Sequence, residues 1–230
     1  MRHHSFSDGD SLARTLAADV ANSLIRRLAE HDAASLVVSG GRTPGPFLRE
    51  LGRQALDWHR VRVTLADERC VPASDAASNL RIVREAFAGT AAAAAQLVEL
   101  DATATDAAAS WGATVSALPR PFAAVVLGMG DDGHFASLFP GMPGLADALA
   151  ATAPATAPAV VHGTAPVEPV ARLSLTLATL LDTDLLALHV TGASKLLTLQ
   201  RASQPGSALE MPVRALLAQR RSKLEIYHAP

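Results

Sequence analysis

Two adjacent aspartates and a histidine stand in a glycine-rich stretch near the middle of the chain, where Asp131, Asp132 and His134 follow Gly128 and Gly130. Histidine side chains titrate in the neutral range and can act as general bases, and a neighbouring carboxylate can orient the ring. Glycines permit positive φ angles and close approach of a ligand to the backbone. These residue types at this spacing predict an acid/base site.

The glycine-rich stretch begins where a buried strand is predicted to end. Residues 122–127 form a short apolar run with β-branched valines, which at this length is typical of a strand. In an open α/β sheet, ligands bind in the crevice outside the carboxyl ends of the strands. We therefore expect Asp131, Asp132 and His134 to face such a crevice.

The same glycines also match a dinucleotide-binding fingerprint, Gly-x-Gly-x-x-Gly, through Gly128, Gly130 and Gly133. That fingerprint places a pyrophosphate against N–H groups at the start of a helix, where the adjacent aspartates 131 and 132 would repel it. Pro140 and Pro143 would also soon interrupt a long helix. The stretch is therefore interpreted as an acid/base loop and not as a nucleotide site.

Glycines also follow the strand predicted at residues 35–39. Pro46 suits the first turn of a following helix, whose free N–H groups could bind an anion. An ordinary strand-to-helix turn explains the same sequence equally well. If the loop binds phosphate, its candidate contacts are Gly40, Gly41, Arg42 and Thr43.

Charged residues follow two more predicted strands. Asp67 and Arg69 come after the strand at 61–66; the arginine could bind phosphate, although a surface ion pair is the simpler interpretation. Lys195 follows the strand at 185–190, close to the start of a helix, with Ser194 as the expected cap. A cation there is unfavourable unless an anion lies nearby, which favours a bound anion.

Composition limits the classes of partner. The chain has 230 residues, is 49% hydrophobic and carries a net charge of −2, which predicts one domain with a sizeable core and no nucleic-acid or membrane partner. The single cysteine, Cys70, excludes an intrachain disulfide and indicates the cytoplasm. We found no signal-peptide pattern, no membrane-spanning run and no His-Glu-x-x-His zinc motif.

Alternating helical and strand patterns predict an α/β chain. Apolar residues recur every four positions from Leu12 to Leu28, which predicts a helix capped by Ser11, and a final strand is expected at 223–228. Residues 149–169 are rich in alanine, proline and threonine, and we expect a solvated excursion there, with His162 in a loop.

Six blocks of sequence resemble the 6-phosphogluconolactonase family in order and rough spacing over nearly the whole chain. They are residues 38–44, 67–72, 78–79, 128–140, 172–176 and 190–195, and the most specific is Gly-Met-Gly-Asp-Asp-Gly-His-Phe-Ala-Ser-Leu-Phe-Pro at 128–140. The resemblance implies a Rossmann-like three-layer α/β/α sandwich with a mostly parallel sheet, as one domain over 1–230. It also implies hydrolysis of 6-phosphoglucono-δ-lactone in the pentose phosphate pathway, without a metal or other cofactor.

The resemblance further implies a role for individual residues. His134 would activate water, either Asp131 or Asp132 would orient its ring, and N–H groups of the glycine-rich loop or a guanidinium would stabilise the oxyanion. Which cation binds phosphate and which the oxyanion stays open, and Arg42 stands where the family more often has serine. The implied substrate and phosphate contacts are Gly40, Gly41, Arg42, Thr43, Asp67, Arg69, Gly130, Arg172 and Lys195.

Two other functions fit parts of the sequence. An amino-sugar-phosphate isomerase or deaminase would use Asp67 to remove a carbon-bound proton, but that family follows its histidine with a pattern like Ile-Ala-Phe-Asn-Glu-Pro, and residues 135–140 lack the glutamate. A non-catalytic sugar-phosphate sensor would need no base, and no DNA-binding module accompanies this fold. The sequence therefore favours the lactonase.

Overall fold

A computed structural model of the chain describes residues 1–41, 43–154 and 156–230. The strands are β1 (Arg2–Ser5), β2 (Ala34–Val38), β3 (Val61–Leu65), β4 (Asp67–Arg69), β5 (Gln96–Leu97), β6 (Ala124–Leu127), β7 (Val160–Thr164), β8 (Ala171–Leu175), β9 (Leu186–Thr191) and β10 (Leu224–Ala229). The helices are α1 (Gly9–Glu30), α2 (Gly45–Gly52), α3 (Asn79–Phe87), α4 (Ala107–Ser116), α5 (Leu145–Ala148), α6 (Leu177–Leu180), α7 (Ala193–Ala202) and α8 (Val213–Ala218).

The central sheet has seven strands in the order β1-β10-β9-β6-β2-β3-β5, and its ladders are parallel. Strands β2 and β6 are buried at every position, as expected for a parallel sheet whose two faces are covered by helices. Helix α1 packs on β2 and β10, and α7 packs on β9. These features confirm the predicted α/β class, a Rossmann-like three-layer sandwich.

The middle of the sheet is a topological switch point. Strands β2 and β6 are neighbours, and the chain continues from β2 to β3 on one side but from β6 to β9 on the other side. Where connections diverge in this way, a crevice opens at the carboxyl ends of the strands. Glycine-rich residues follow both strands, at 39–41 after β2 and at 128–134 after β6, so the fold brings them together.

A second, antiparallel sheet in the order β4-β8-β7 was not predicted. Residues 149–169, expected to be a solvated excursion, contain β7, which pairs with β8 from Val160 opposite Leu175 to Thr164 opposite Ala171. His162 therefore lies on a strand and not in a loop. The prediction was wrong because β7 is short and combines buried with exposed positions, so it shows no continuous apolar run.

The first helix and the first strand also differ from the prediction. Helix α1 begins at Gly9, because the Oδ1 atom of Asp8 accepts a hydrogen bond of 2.7 Å from the N–H of Ser11 and caps the helix. Strand β1 at the sheet edge is mostly exposed and shows no apolar alternation that the sequence could reveal. Within the described ranges, no helix combines the length and apolarity needed to cross a bilayer.

Candidate active site

A cleft of about 400 Å³ opens at the switch point of the central sheet. Residues from all four predicted strand ends line it, namely Gly40, Gly41, Thr43, Asp67, Arg69, Gly130, His134 and Lys195. The remaining lining residues, for which no site role was predicted, are Ser39, Pro44, Asn79, Gly128, Met129 and Ala136. The predicted contact Arg42 lies outside the described residues.

The ring of His134 is held in one orientation. Its Nδ1 atom lies 2.5 Å from Oδ1 of Asp132, and the backbone N–H of His134 donates to the same oxygen over 3.1 Å. The ring packs against Phe139, with centroids 4.3 Å apart. A Cβ atom on Gly130 would lie 2.2 Å from ring atoms Cε1 and Nδ1, so the ring fits only against a glycine at this position.

Asp132 is the ionised partner in this pair. Partial burial raises the pKa of Asp132, but the hydrogen bond and the charge of His134 outweigh burial and hold that pKa below its usual range. An ionised carboxylate can only accept, so Nδ1 of His134 carries the proton that it donates to Asp132. In the neutral ring, Nε2 is then the atom that can accept a proton.

Asp131, the other aspartate considered as the orienting residue, does not contact the ring. Its side chain is exposed, its carbonyl accepts a hydrogen bond of 2.9 Å from Oγ1 of Thr198, and it lines a separate depression of about 630 Å³ along α7. The bonds from Asp132 to residue 134 form a tight turn through Gly133, whose φ is +80°. This local turn selects Asp132.

Two arginines lie side by side in the small sheet, because Arg69 on β4 is directly opposite Arg172 on β8. Arg69 is partly buried and lines the cleft; its guanidinium donates to the carbonyl of Ala77, and its buried Nε has no partner among the described residues. Within that part of the chain, neither arginine forms an ion pair with a carboxylate. Of the two, Arg69 presents to the cleft a guanidinium without an ion-pair partner among the described residues, which favours a bound anion.

Arg172 does not itself line the cleft, although it was predicted as a substrate contact. It is only 6% exposed, and its guanidinium donates to the carbonyl of Pro169. Burial, followed by the charge of Arg69, lowers the pKa of Arg172. Its place on β8 behind Arg69 follows from the antiparallel pairing that the sequence analysis missed.

Lys195 is the third residue of α7 and lines the cleft. The expected cap Ser194 is wrong, because Gly192 precedes the helix with φ +96° and no side chain caps it. No carboxylate of the described residues forms an ion pair with Lys195. A cation beside a helix N-terminus favours an anion at this corner of the cleft.

Asp67 joins the cleft to the histidine loop. Its carboxylate is buried and accepts a hydrogen bond of 2.6 Å from Oγ of Ser137, three residues after His134. The N–H of Ser137 donates in turn to Oγ of Ser174 on β8 over 3.1 Å. Asp67 therefore ties the start of β4 to the loop that carries the candidate base.

The cleft thus combines an oriented imidazole with cations that form no ion pair with a carboxylate in the described part of the chain. Such a site can activate water and stabilise negative charge on a substrate. No group of three or more histidine, cysteine or acidic side chains that could hold a metal ion occurs in the ranges 1–41, 43–154 and 156–230.

Known proteins resemble the chain over its whole length. The family described as glucosamine-6-phosphate isomerases/6-phosphogluconolactonase matches residues 7–225. A 6-phosphogluconolactonase of Rhizobium meliloti (strain 1021) is 42% identical over 230 residues, which cover 99% of this chain and 98% of the relative. One of Pseudomonas putida is 43% identical, covering 99% and 92%. The crystal structure of a 6-phosphogluconolactonase from Shewanella baltica OS155 superposes with a TM-score of 0.93 at 35% identity, covering 100% and 98%.

Proposed function

Since the chain belongs to the family of glucosamine-6-phosphate isomerases and 6-phosphogluconolactonases, we propose that it hydrolyses 6-phospho-D-glucono-1,5-lactone to 6-phospho-D-gluconate in the pentose phosphate pathway. Its full-length relatives at about 42% identity are named for this activity, in agreement with the resemblance found in the sequence. The structural observation that supports the chemistry is the contact between His134 and Asp132 at the cleft.

His134 acts as the general base in the proposed mechanism. Its Nε2 removes a proton from a water molecule, the hydroxide oxygen bonds to the lactone carbonyl carbon, and the carbonyl becomes an oxyanion. Asp132 holds the ring and stabilises the imidazolium that forms. When the carbonyl re-forms, the bond to the ring oxygen breaks, and the imidazolium returns its proton to that oxygen.

Different cations of the cleft bind the phosphate and the lactone carbonyl oxygen of the substrate. The loop at Gly40, Gly41 and Thr43 precedes α2, and Lys195 stands at the start of α7, so two helix N-termini and one ammonium group suit a phosphate dianion. Arg69 is left for the lactone carbonyl oxygen, and Arg172 strengthens the positive field behind it. The N–H of Gly130 donates to the carbonyl of His134 over 2.9 Å and is therefore unavailable as an oxyanion donor.

The structure around Asp67 supports the lactonase over the isomerase or deaminase. Oδ2 of Asp67 accepts a hydrogen bond from Ser137 and ties Asp67 to the histidine loop, which suits the supporting role that a lactonase mechanism gives this residue. The loop after His134 places Phe139 against the ring, and residues 135–140 contain no carboxylate. A lactone carbonyl is already electrophilic, so one base acting on one water suffices.

A parallel assay tests the proposal. Freshly prepared 6-phosphogluconolactone and glucosamine-6-phosphate are each given to the purified chain, and acid release or ammonia release is followed after subtraction of the spontaneous rate. We expect rapid hydrolysis of the lactone and no ammonia. Release of ammonia without lactone hydrolysis would replace the proposal by the deaminase, and binding of 6-phosphogluconate without either activity would favour the sensor.

We further propose that the chain works as one domain in the cytoplasm on this small molecule, with no nucleic-acid or membrane partner. The single cysteine and the net charge of −2 support this setting.

A further inference from the structure

Asn79 lies in the wall of the cleft, together with Gly40, Asp67 and Arg69. It is the first residue of α3 and is only 2% exposed. The mechanism proposed above gives it no role.

The side chain of Asn79 is fixed from two sides. Its backbone N–H donates to Oε1 of Glu68 over 2.7 Å, and its Nδ2 donates to the carbonyl of Asp67 over 2.8 Å. The Glu68 carboxylate is itself buried and saturated by donors, which are the N–H groups of Arg69, Asn79 and Leu80 and the hydroxyl of Ser78. Rotating the amide would place its oxygen against the Asp67 carbonyl, so the orientation of the amide is determined.

The amide oxygen that results has no donor. Oδ1 of Asn79 is buried and has no hydrogen-bond partner among the described residues. It faces Gly40 closely, since a Cβ atom on Gly40 would lie 2.2 Å from it. A buried acceptor without a partner is unfavourable, and native structures keep few of them without a functional reason.

The charges around Asn79 decide which donor fits. The neighbouring Asp67 also presents a carboxylate to the cleft, so this wall offers acceptors and repels phosphate oxygens. The donors of the cleft lie at Arg69, Lys195 and the Gly40–Gly41 loop. A hydroxyl group can donate to the acceptor wall while the phosphate and the lactone carbonyl meet the donors.

We propose that Oδ1 of Asn79 accepts a hydrogen bond from one hydroxyl group of the bound sugar lactone, which makes Asn79 a specificity-determining residue. The inference rests on the proposed function, because that function supplies a substrate rich in hydroxyl groups. Glu68 and the carbonyl of Asp67 are the positioning groups that hold the acceptor in place.

A thermodynamic cycle between protein and ligand tests this contact. Binding of 6-phosphogluconate and of its 2-, 3- and 4-deoxy analogues is measured by calorimetry with the parental chain and with Asn79→Ala. In the parental chain we expect one deoxy analogue to bind about three- to thirtyfold more weakly than 6-phosphogluconate. In Asn79→Ala the same deoxy analogue and 6-phosphogluconate should bind almost equally, because the acceptor is absent. The comparison between the two proteins cancels any general damage to the cleft. If Asn79→Ala does not fold, Asn79→Ser replaces it in the same binding measurements.

Two results would overturn the inference. Either each hydroxyl deletion weakens binding equally in both proteins, or no deletion weakens binding to the parental chain, which would mean that Oδ1 meets a water or an N–H group instead. Lactone hydrolysis by the parental chain is measured first. If the parental chain does not hydrolyse the lactone, the proposed function is wrong. If it hydrolyses the lactone normally but no hydroxyl deletion depends on Asn79, only the assignment of Asn79 is wrong.

Discussion

Nδ1 of His134 lies 2.5 Å from Oδ1 of Asp132, inside a turn only three residues long. The same carboxylate oxygen also accepts the backbone N–H of His134 over 3.1 Å, so one atom fixes both the loop and the ring. The proposed mechanism depends on this relationship, because it leaves Nε2 as the base.

The first prediction concerns the base itself. We expect His134→Ala to lower kcat by roughly a hundred- to ten-thousandfold, since this is the usual contribution of a positioned general base. The measurement is lactone hydrolysis with the spontaneous rate subtracted, and circular dichroism shows that the variant is folded. His162→Gln, an exposed histidine on β7, is the matched control and should hydrolyse normally. A folded His134→Ala variant with near-parental turnover would remove His134 from the mechanism.

The second prediction separates the two adjacent aspartates. Asp132→Asn should lower kcat about ten- to a hundredfold, because the amide holds the ring less firmly and carries no negative charge to stabilise the imidazolium. Asp131→Asn, which alters an exposed side chain one residue away, should change kcat little. Steady-state kinetics of the two variants side by side provide the check. Equal losses would show that the contact with His134 is not what matters.

The third prediction tests the division of the cations. Lys195→Ala should weaken binding of 6-phosphogluconate about ten- to a hundredfold but leave an unphosphorylated gluconolactone little affected, since it removes a charge-assisted phosphate contact. Arg69→Ala should weaken product binding by a similar factor and also lower kcat on both lactones, because Arg69 would face the carbonyl oxygen. Titration calorimetry and initial rates measure these effects.

Arg84→Ala is a suitable control for the cations, because Arg84 is exposed and pairs with Glu99 away from the cleft. Unchanged product affinity in Lys195→Ala would remove the phosphate role from Lys195, and unchanged kcat in Arg69→Ala would remove the oxyanion role from Arg69.

The fourth prediction concerns Asp67. Its carboxylate anchors the histidine loop through Ser137, so Asp67→Asn should lower lactonase activity partially and much less than His134→Ala does. During turnover in deuterated water, proton NMR of the 6-phosphogluconate product should show no enzyme-dependent deuterium on carbon. Deuterium at the carbon next to the carbonyl would instead revive the isomerase mechanism, in which Asp67 is the base.

The fifth prediction concerns stability and pH. Burial, together with the charge of Lys195, lowers the pKa of His189 from 6.5 to about 4. Between these pH values the unfolded chain binds the extra proton, so the free energy of unfolding decreases as the pH falls through this window. At about 1.36 kcal/mol per pKa unit, the full loss from this residue is roughly 3 kcal/mol.

Urea unfolding above and below this window measures the effect of His189. In His189→Leu the difference between the two conditions should shrink by a few kcal/mol, whereas in His162→Gln it should equal that of the parental chain. An undiminished pH dependence in His189→Leu would show that other groups cause the acid destabilisation.

The sequence by itself determined the parallel sheet and most of the cleft. Short valine- and leucine-rich runs are typical of buried strands, and polar residues directly after parallel strands meet at one edge of the sheet, because such strands all end on the same side. Gly40, Asp67, Arg69, His134 and Lys195 were placed at strand ends in this way, and the resemblance to the family assigned them to one site.

Only the tertiary structure decided which residues contact each other. The choice of Asp132 over Asp131 depends on the backbone turn at Gly133, and the position of Arg172 behind Arg69 depends on the pairing of β4 with β8, two strands separated by about a hundred residues. Asn79 was only part of the block 78–79 in the sequence, and its amide oxygen, which has no partner among the described residues, became visible only once α3 was packed against Gly40 and Asp67. Local patterns encode burial and chain direction, whereas hydrogen-bond partners are set by long-range packing that no single segment contains.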